Sequence, residues 1–357
     1  MDIQNQKDTF KGIIHFWNLP ANVHVFLTPE FKGKLMKKFM EVARTKYNAN
    51  KITGISRPTI GRYINKKDSK TRIKSLLKIV NLINSNEFSL NNIEKNITWI
   101  GGINSQGIIN PKLPFNFNSR AGTRFLAAIC NEGWISAGAY YSNSEQELRD
   151  SVKKDSLSIF GGDENTVRDW IKEKDQYLAF PSVIRDVLIL ITGFKGMKSE
   201  NNPPVPSFIL KDKELMLGWI EQTIADEGHV KYHPVKYRRE IIWRRSFNIN
   251  LNEYKLNIYE QKMLDKIGIT YDVKNIGTYK TKKGIEKTRL HIRISKRTNL
   301  LKLREIIKIP CKRKDETFTL MMKHFVRYKE PLRVKNTIIN LCKNKGYITS
   351  SELRKEI

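Results

Sequence analysis

Cysteine is scarce: three in 357 residues (Cys130, Cys311 and Cys342), widely separated, which excludes a disulfide framework and a cysteine-based zinc site. Long apolar runs are missing too. The longest, around 183–194, falls short of the ~20 residues a membrane-spanning helix needs. The opening MDIQNQKDTF lacks the basic-then-apolar layout of a secretory signal. A soluble intracellular protein without membrane contact is expected, cytoplasmic and nucleoid-associated. Acidic side chains are few as well, 36 Asp+Glu against 65 Lys+Arg, for a net charge of +29. That excess points to a polyanionic partner, nucleic acid first, because Lys and Arg that neutralise phosphates release condensed counterions. With 39% hydrophobic residues the chain can still build a sizeable core.

The positive charge is segregated. Residues 1–100 hold 18 Lys+Arg and 7 Asp+Glu, and residues 228–297 hold 18 and 6, whereas residues 134–200 hold 9 and 11. Two basic blocks around a near-neutral one suggest two nucleic-acid contact regions rather than a uniformly cationic surface.

The first block reads as helical. Thr28-Pro29-Glu30 opens a helix with Leu35, Phe39, Val42 and Ala43 on one stripe. Then Gly54 offers a tight turn, Ser56 a cap, and Ile60 and Ile64 a buried side. Two short helices about a glycine resemble a repressor-type helix-turn-helix, spanning residues 1–95, with Arg57, Thr59 and Arg62 turned to base edges. A small helical bundle with solvated charges is the alternative. Residues 96–117, rich in Gly, Asn and Pro, read as an irregular linker.

Two stretches carry the most information, Phe125-Leu126-Ala127-Ala128-Ile129-Cys130-Asn131-Glu132-Gly133 and Ile220-Glu221-Gln222-Thr223-Ile224-Ala225-Asp226-Glu227-Gly228. Each is helical, ends in Glu-Gly and runs at once into a strand-like segment. The glutamates lie 95 residues apart, a plausible length for a duplicated subdomain. Glu at a helix C-terminus opposes the macrodipole, so finding it twice asks for a reason beyond solvation, and metal binding supplies one.

These stretches resemble the LAGLIDADG motif of homing endonucleases and their maturase relatives. The resemblance covers about 118–310 and implies an α/β (α+β) chain: two pseudo-symmetric αββαββα repeats, 118–200 and 207–310, forming a saddle over double-stranded DNA. It implies that Glu132 and Glu227 are the catalytic, metal-holding acids, with Mg²⁺ or Mn²⁺ as cofactor. The glycine after each acid is expected to let the chain turn sharply from helix into strand. An internal pseudo-twofold implies a monomer. The chain runs from Met1-Asp2 to Glu356-Ile357, without the ends of an intein, so a free-standing protein is expected.

In the second repeat, 240–249 reads as a strand, with Pro234 in the hairpin before it. In 287–295 Lys287, Arg289, His291 and Arg293 alternate with Leu290, Ile292 and Ile294. This basic face, with Arg238, Arg244 and Ser246, is the expected DNA-binding surface. The first repeat departs from that pattern: 134–142 has no Lys or Arg, and 145–157 and 167–173 read as helical. Within the motifs, Ala127 and Ala128 suit close helix packing, whereas Gln222 and Asp226 are bulkier. Asp226 is open to three readings, as a partner of the site, a rival ligand or a solvent-facing acid. His229 reads as a DNA-face or structural histidine rather than a ligand, and Cys130 as core. The tail, 311–357, reads as a helix bearing Val334, Ile338, Ile339 and Leu341, followed by a helix-turn-helix-like start at 345–353. The expected function is site-specific, metal-dependent cleavage of DNA. The alternative is a catalytically silent regulator, or a splicing maturase that binds structured RNA.

Overall fold

Apolar residues three and four apart build the N-terminal region around a small sheet. The computed structural model describes residues 10–66, 69–172, 176–196, 202–233, 238–251, 253–282, 284–323, 331–349 and 351–352, with backbone alone for 331–334. Ile13–Ile14 (β1) precedes His24–Leu27 (β2). Pro29–Ala43 (α1) buries Leu35, Phe39 and Ala43, while Val42 is exposed. Lys46–Thr53 (α2) ends at Gly54, whose left-handed φ of 65° favours glycine, and Arg57–Asn65 (α3) follows. Thr71–Arg72 (β3), Ile73–Ile83 (α4) and Leu90–Lys95 (α5) come next.

The expected linker is structured. Ile97–Gly101 (β4) pairs with β2 and with Ile108–Ile109 (β5), giving the order β3-β2-β4-β5, and Phe115–Asn116 (β6) pairs with β1. These strands of two to five residues are too short to show a period, and β4 and β6 pair with strands much earlier in the chain.

Two successive segments then repeat one element order. The first unit runs Arg120–Glu132 (α6), Gly133–Ile135 (β7), Ala139–Ser142 (β8), Gln146–Phe160 (α7), Arg168–Ile171 (β9), Gln176–Phe180 (β10) and Ser182–Thr192 (α8). The second runs Lys213–Glu227 (α9), Gly228–His233 (β11), Arg238–Asn248 (β12), Lys255–Ile267 (α10), Asp272–Lys280 (β13), Glu286–Ile294 (β14) and Arg297–Ile306 (α11). Their antiparallel sheets have the orders β7-β8-β10-β9 and β11-β12-β14-β13. The fold is thus α+β, with small antiparallel sheets. Arg168–Ile171, expected to be helical, is an edge strand paired with β10. Its side chains are mostly exposed, so it carries no apolar pattern to read.

Helices α6 and α9 pack on each other. Gly218 lies so close to α6 that a Cβ there would come within 2.3 Å of the Thr123 hydroxyl. The close approach in α9 therefore rests on Gly218. Gln222 is accommodated by donating to Asp226. Lys312–Lys323 (α12), expected to belong to the tail, is part of the core: Phe318 and Met321 are buried and the helix packs on β11. In Pro331–Lys345 (α13) no described side chain is buried. Beyond it the Thr349 hydroxyl accepts from the Glu352 amide (3.3 Å) and the Glu352 carboxylate from the Thr349 amide (3.0 Å), a reciprocal cap. Pro234, Leu353 and the Val334 side chain lie outside the described residues. Among the described residues no helix is long and apolar enough to cross a membrane.

Candidate active site and basic sheet face

Glu132 and Glu227 are the last residues of α6 and α9. The residues just before them touch: Asn131 Nδ2 donates to Asp226 Oδ2 at 3.2 Å. The two helix ends therefore meet, with one glutamate a single residue beyond each side of the contact. The glycines that follow have φ of −93° (Gly133) and −81° (Gly228), conformations open to any residue. Left-handed geometry is thus not why glycine stands there. A Cβ on Gly133 would lie 2.7 Å from the Ile129 Cα, and one on Gly228 2.4 Å from the Ile224 oxygen. The strand leaves by folding back on the preceding helical turn, which leaves no room for a side chain.

Asp226 is fully engaged. Its Oδ1 accepts from the Tyr141 hydroxyl at 2.6 Å and from Gln222 Nε2 at 2.9 Å, and Oδ2 from Asn131. Of its three readings, the solvent-facing acid is excluded, and its contacts are those of a residue that positions the helix ends. Burial pushes its pKa up to about 6, against the lowering effect of the three donors and with a further push from Glu227. Tyr141 is held well above its usual range by burial and by Asp226.

A folded-state pKa above the unfolded value means that the native protein binds the proton more tightly. The associated stability is present at low pH and is lost as pH rises through about 6. Between about pH 4 and 6.5, wild-type stability is expected to fall relative to Asp226→Asn. The fall amounts to roughly 1.4 kcal/mol for each tenfold by which folding tightens proton binding. Urea titrations across that range check this; parallel profiles would refute it.

Arg245, on the inward side of β12, joins both units. Its Nη2 donates to Asn131 Oδ1 (2.7 Å) and to Glu260 Oε1, its Nε to Glu260 Oε2 (3.2 Å), and its Nη1 to Glu227 Oε1 (3.2 Å). Glu260 is fully buried and also accepts from Trp243 Nε1 at 3.0 Å. Lys314 of α12 caps the end of α9 by donating to the carbonyls of Ile224 and Ala225. A cation there suits the negative end of the helix dipole. Burial lowers the Lys314 pKa, while Cys311 and Asp226 oppose that shift. Sequence reasoning named none of Asn131, Tyr141, Arg245, Glu260 and Lys314 as site residues. A signal existed for two of them: Glu260 shares the apolar stripe of Leu256, Met263 and Ile267, and Lys314 that of Phe318 and Met321. Among the described residues no group of three or more His, Cys, Asp or Glu is arranged to enclose a metal ion.

The second-unit sheet gathers the other expected residues. Ser246 pairs with Arg289, Arg244 with His291, and Asn248 with Lys287, so all lie on the outward face, together with Arg238 and Arg293. Arg289 sits 4.5 Å over the Tyr279 ring, whose hydroxyl a hydrogen bond to Ser246 holds below its usual pKa. Two details qualify the picture of a plain cationic face. His291 and His229 both have lowered pKa values, through burial first and then neighbouring Arg244, so they add less positive charge to the face than its arginines and lysines. Glu240 also lies on this face, only 1% exposed, against Arg238 (2.5 Å), Arg293 (2.6 Å) and Lys231 (3.8 Å). The Arg293 Nε–H is not aimed at the carboxylate, so that contact is ionic rather than a hydrogen bond.

In the N-terminal region Arg57 and Arg62 are exposed on α3. The Ser56 side chain does not cap the helix backbone; its hydroxyl donates to the Thr59 hydroxyl at 2.8 Å, while its carbonyl accepts from the Ile60 amide at 3.0 Å. Thr59 and Arg62 line a cleft of about 360 Å³ with Arg72, Lys74 and Lys78. Arg57 is not part of that lining. No family model matches this chain, and no curated protein matches it.

Proposed function

We propose that the chain is a divalent-metal-dependent DNA endonuclease of the LAGLIDADG type, its two αββαββα units forming the DNA-binding saddle in one monomer. The observation that carries this reading is the Asn131–Asp226 contact, which sets Glu132 and Glu227 at adjoining helix ends. Two carboxylates fit such a metal, because Mg²⁺ favours oxygen and commonly takes only one or two protein carboxylates, with phosphate and water completing its shell. Glu132 and Glu227 would hold Mg²⁺ or Mn²⁺, which would activate water and neutralise charge on the scissile phosphate. Arg245 fixes one Glu227 oxygen, and Asp226 aligns the two helix ends. The outward face of β12 and β14 would meet backbone and bases, and α3 would add contacts from the N-terminal region.

One observation favours a second reading, a silent DNA-binding regulator or a maturase bound to structured RNA: Glu227 already faces Arg245 at 3.2 Å. Incubation of the purified protein with a randomised DNA library and Mg²⁺ separates the two. Cuts beyond those made by a Glu132→Gln/Glu227→Gln double variant support the nuclease, and their absence supports the silent binder.

The basic face yields a prediction that either reading shares. Arg289→Ala should lower the slope of log K against log salt by about one contact. Arg293→Ala should change it less, because Glu240 already neutralises that arginine. Glu240→Gln should release Arg238 and Arg293 to phosphates and tighten duplex binding with a steeper slope. Equal slopes in all three would place the strands away from phosphate.

A further inference from the structure

The first-unit sheet answers the basic face of the second with a row of rings. Trp134 pairs with Tyr140, and Tyr177 with Trp170, so the row crosses β7, β8, β10 and β9. Trp134 stacks on Tyr140 (4.7 Å), Tyr140 meets Tyr177 edge-on (5.8 Å), and Trp170 stacks on Tyr177 (6.2 Å). Alternate residues Ile135, Ala139, Tyr141 and Leu178 are buried beneath. The rings therefore face outward, and Trp170 keeps 40% of its surface exposed. With the two sheets aligned by register, these positions correspond to His229, Ile242, His291 and Lys274 of the second unit. One fold thus presents cations and imidazoles on one sheet and aromatic planes on the other.

The row is the floor of a cleft of about 420 Å³. Tyr140, Tyr177 and Trp170 line it together with Asn104, Gln106 and Arg168. A second cleft, of about 590 Å³, adjoins it, sharing Gln106, Arg168 and Trp170 and adding Lys153, Asn165 and the carboxylates of Glu164 and Asp169. Lys172 lies 5.7 Å over the Trp170 ring. The two clefts make a track with ring planes below, amides at the wall and charges of both signs along it, Arg168 and Lys153 against Glu164 and Asp169. Duplex DNA keeps its bases stacked inside and meets proteins largely through phosphates, for which this face has few cations. An unpaired strand offers π-faces that stack on rings and base edges that amides can bond.

We infer that the outward face of the first-unit sheet binds unpaired bases of a single nucleic-acid strand, stacked on Trp170, Tyr177 and Tyr140. The inference rests on the reading of the chain as a nucleic-acid-binding protein and not on its being a nuclease. Stacking carries the affinity, so the salt slope is shallow beside that of duplex binding.

Titration of the full-length chain with labelled oligo-dT and oligo-rU tests this. A Trp170→Ala/Tyr177→Ala variant should lose about 10-fold or more in single-strand affinity. Its duplex affinity, which the outward face of β12 and β14 mainly carries, should fall far less, which also reports that it is folded. Trp170→Phe, which keeps a ring, should retain most of the binding. A preference for one oligonucleotide over the other identifies which sugar the track prefers and supports the inference equally. Unchanged single-strand affinity in the double variant overturns it, as does equal binding of an abasic strand, or displacement of the strand by a proline-rich peptide. Failure of duplex cleavage would leave this result untouched, so the two proposals fail separately.

Discussion

Glu132→Gln is expected to abolish cleavage, lowering the rate on the order of 10³-fold, with the fold and duplex binding intact. The size follows from the several kcal/mol of charge stabilisation that a bound metal supplies, at 1.36 kcal/mol per tenfold in rate. Glutamine keeps the shape of the side chain and removes the negative charge. Glu227→Gln should cost as much in rate and also weaken one contact of Arg245, which keeps Glu260 as its main partner. Single-turnover cleavage of a site recovered from the library, at saturating Mg²⁺, measures both. Cutting by both variants at the wild-type rate would remove the two glutamates from the chemistry.

Arg245→Met should be the most destabilising single substitution at the site. Removing one partner of a buried ion pair leaves an uncompensated charge, at about 3–5 kcal/mol. Here that charge would be Glu260, fully buried on α10. The same change releases Asn131 and Glu227, so cleavage should fall beyond what partial unfolding explains. A second substitution discriminates the cause. Arg245→Met/Glu260→Gln should recover part of the loss, because a neutral amide can still accept from Trp243. Denaturant unfolding of the two variants decides it. A double variant less stable than Arg245→Met would show that the stranded carboxylate is not the cause.

The parts of the molecule that were legible in the sequence are those whose pattern is local. The alternation of Lys287, Arg289, His291 and Arg293 with apolar residues gave β14 its outward face. The Glu-Gly pairs gave the ends of α6 and α9. What escaped depends on partners far along the chain. Residues 97–101 read as linker because β2, which they pair with, lies in an earlier segment. Residues 168–171 read as helix because an exposed edge strand shows no alternating burial. Charges inside the core were the subtlest loss. Lys32 sits among buried residues of α1 and donates to the carbonyl oxygens of Lys66 and Ser69, Glu260 meets Arg245, and Lys314 meets the end of α9. Each lies on an otherwise apolar helical stripe. A charged residue in such a place marks a buried partner, but its spacing does not say which one.

The capping of α9 by Lys314 has a bearing on how the protein can be dissected. A fragment trimmed after the second unit, at about residue 310, would discard the ammonium group that holds the Ile224 and Ala225 oxygens. It would also remove the buried Phe318 and Met321 and the packing of their helix on β11. Excision of the paired units should therefore extend through Lys323, and grafting them onto another scaffold must bring this short helix along.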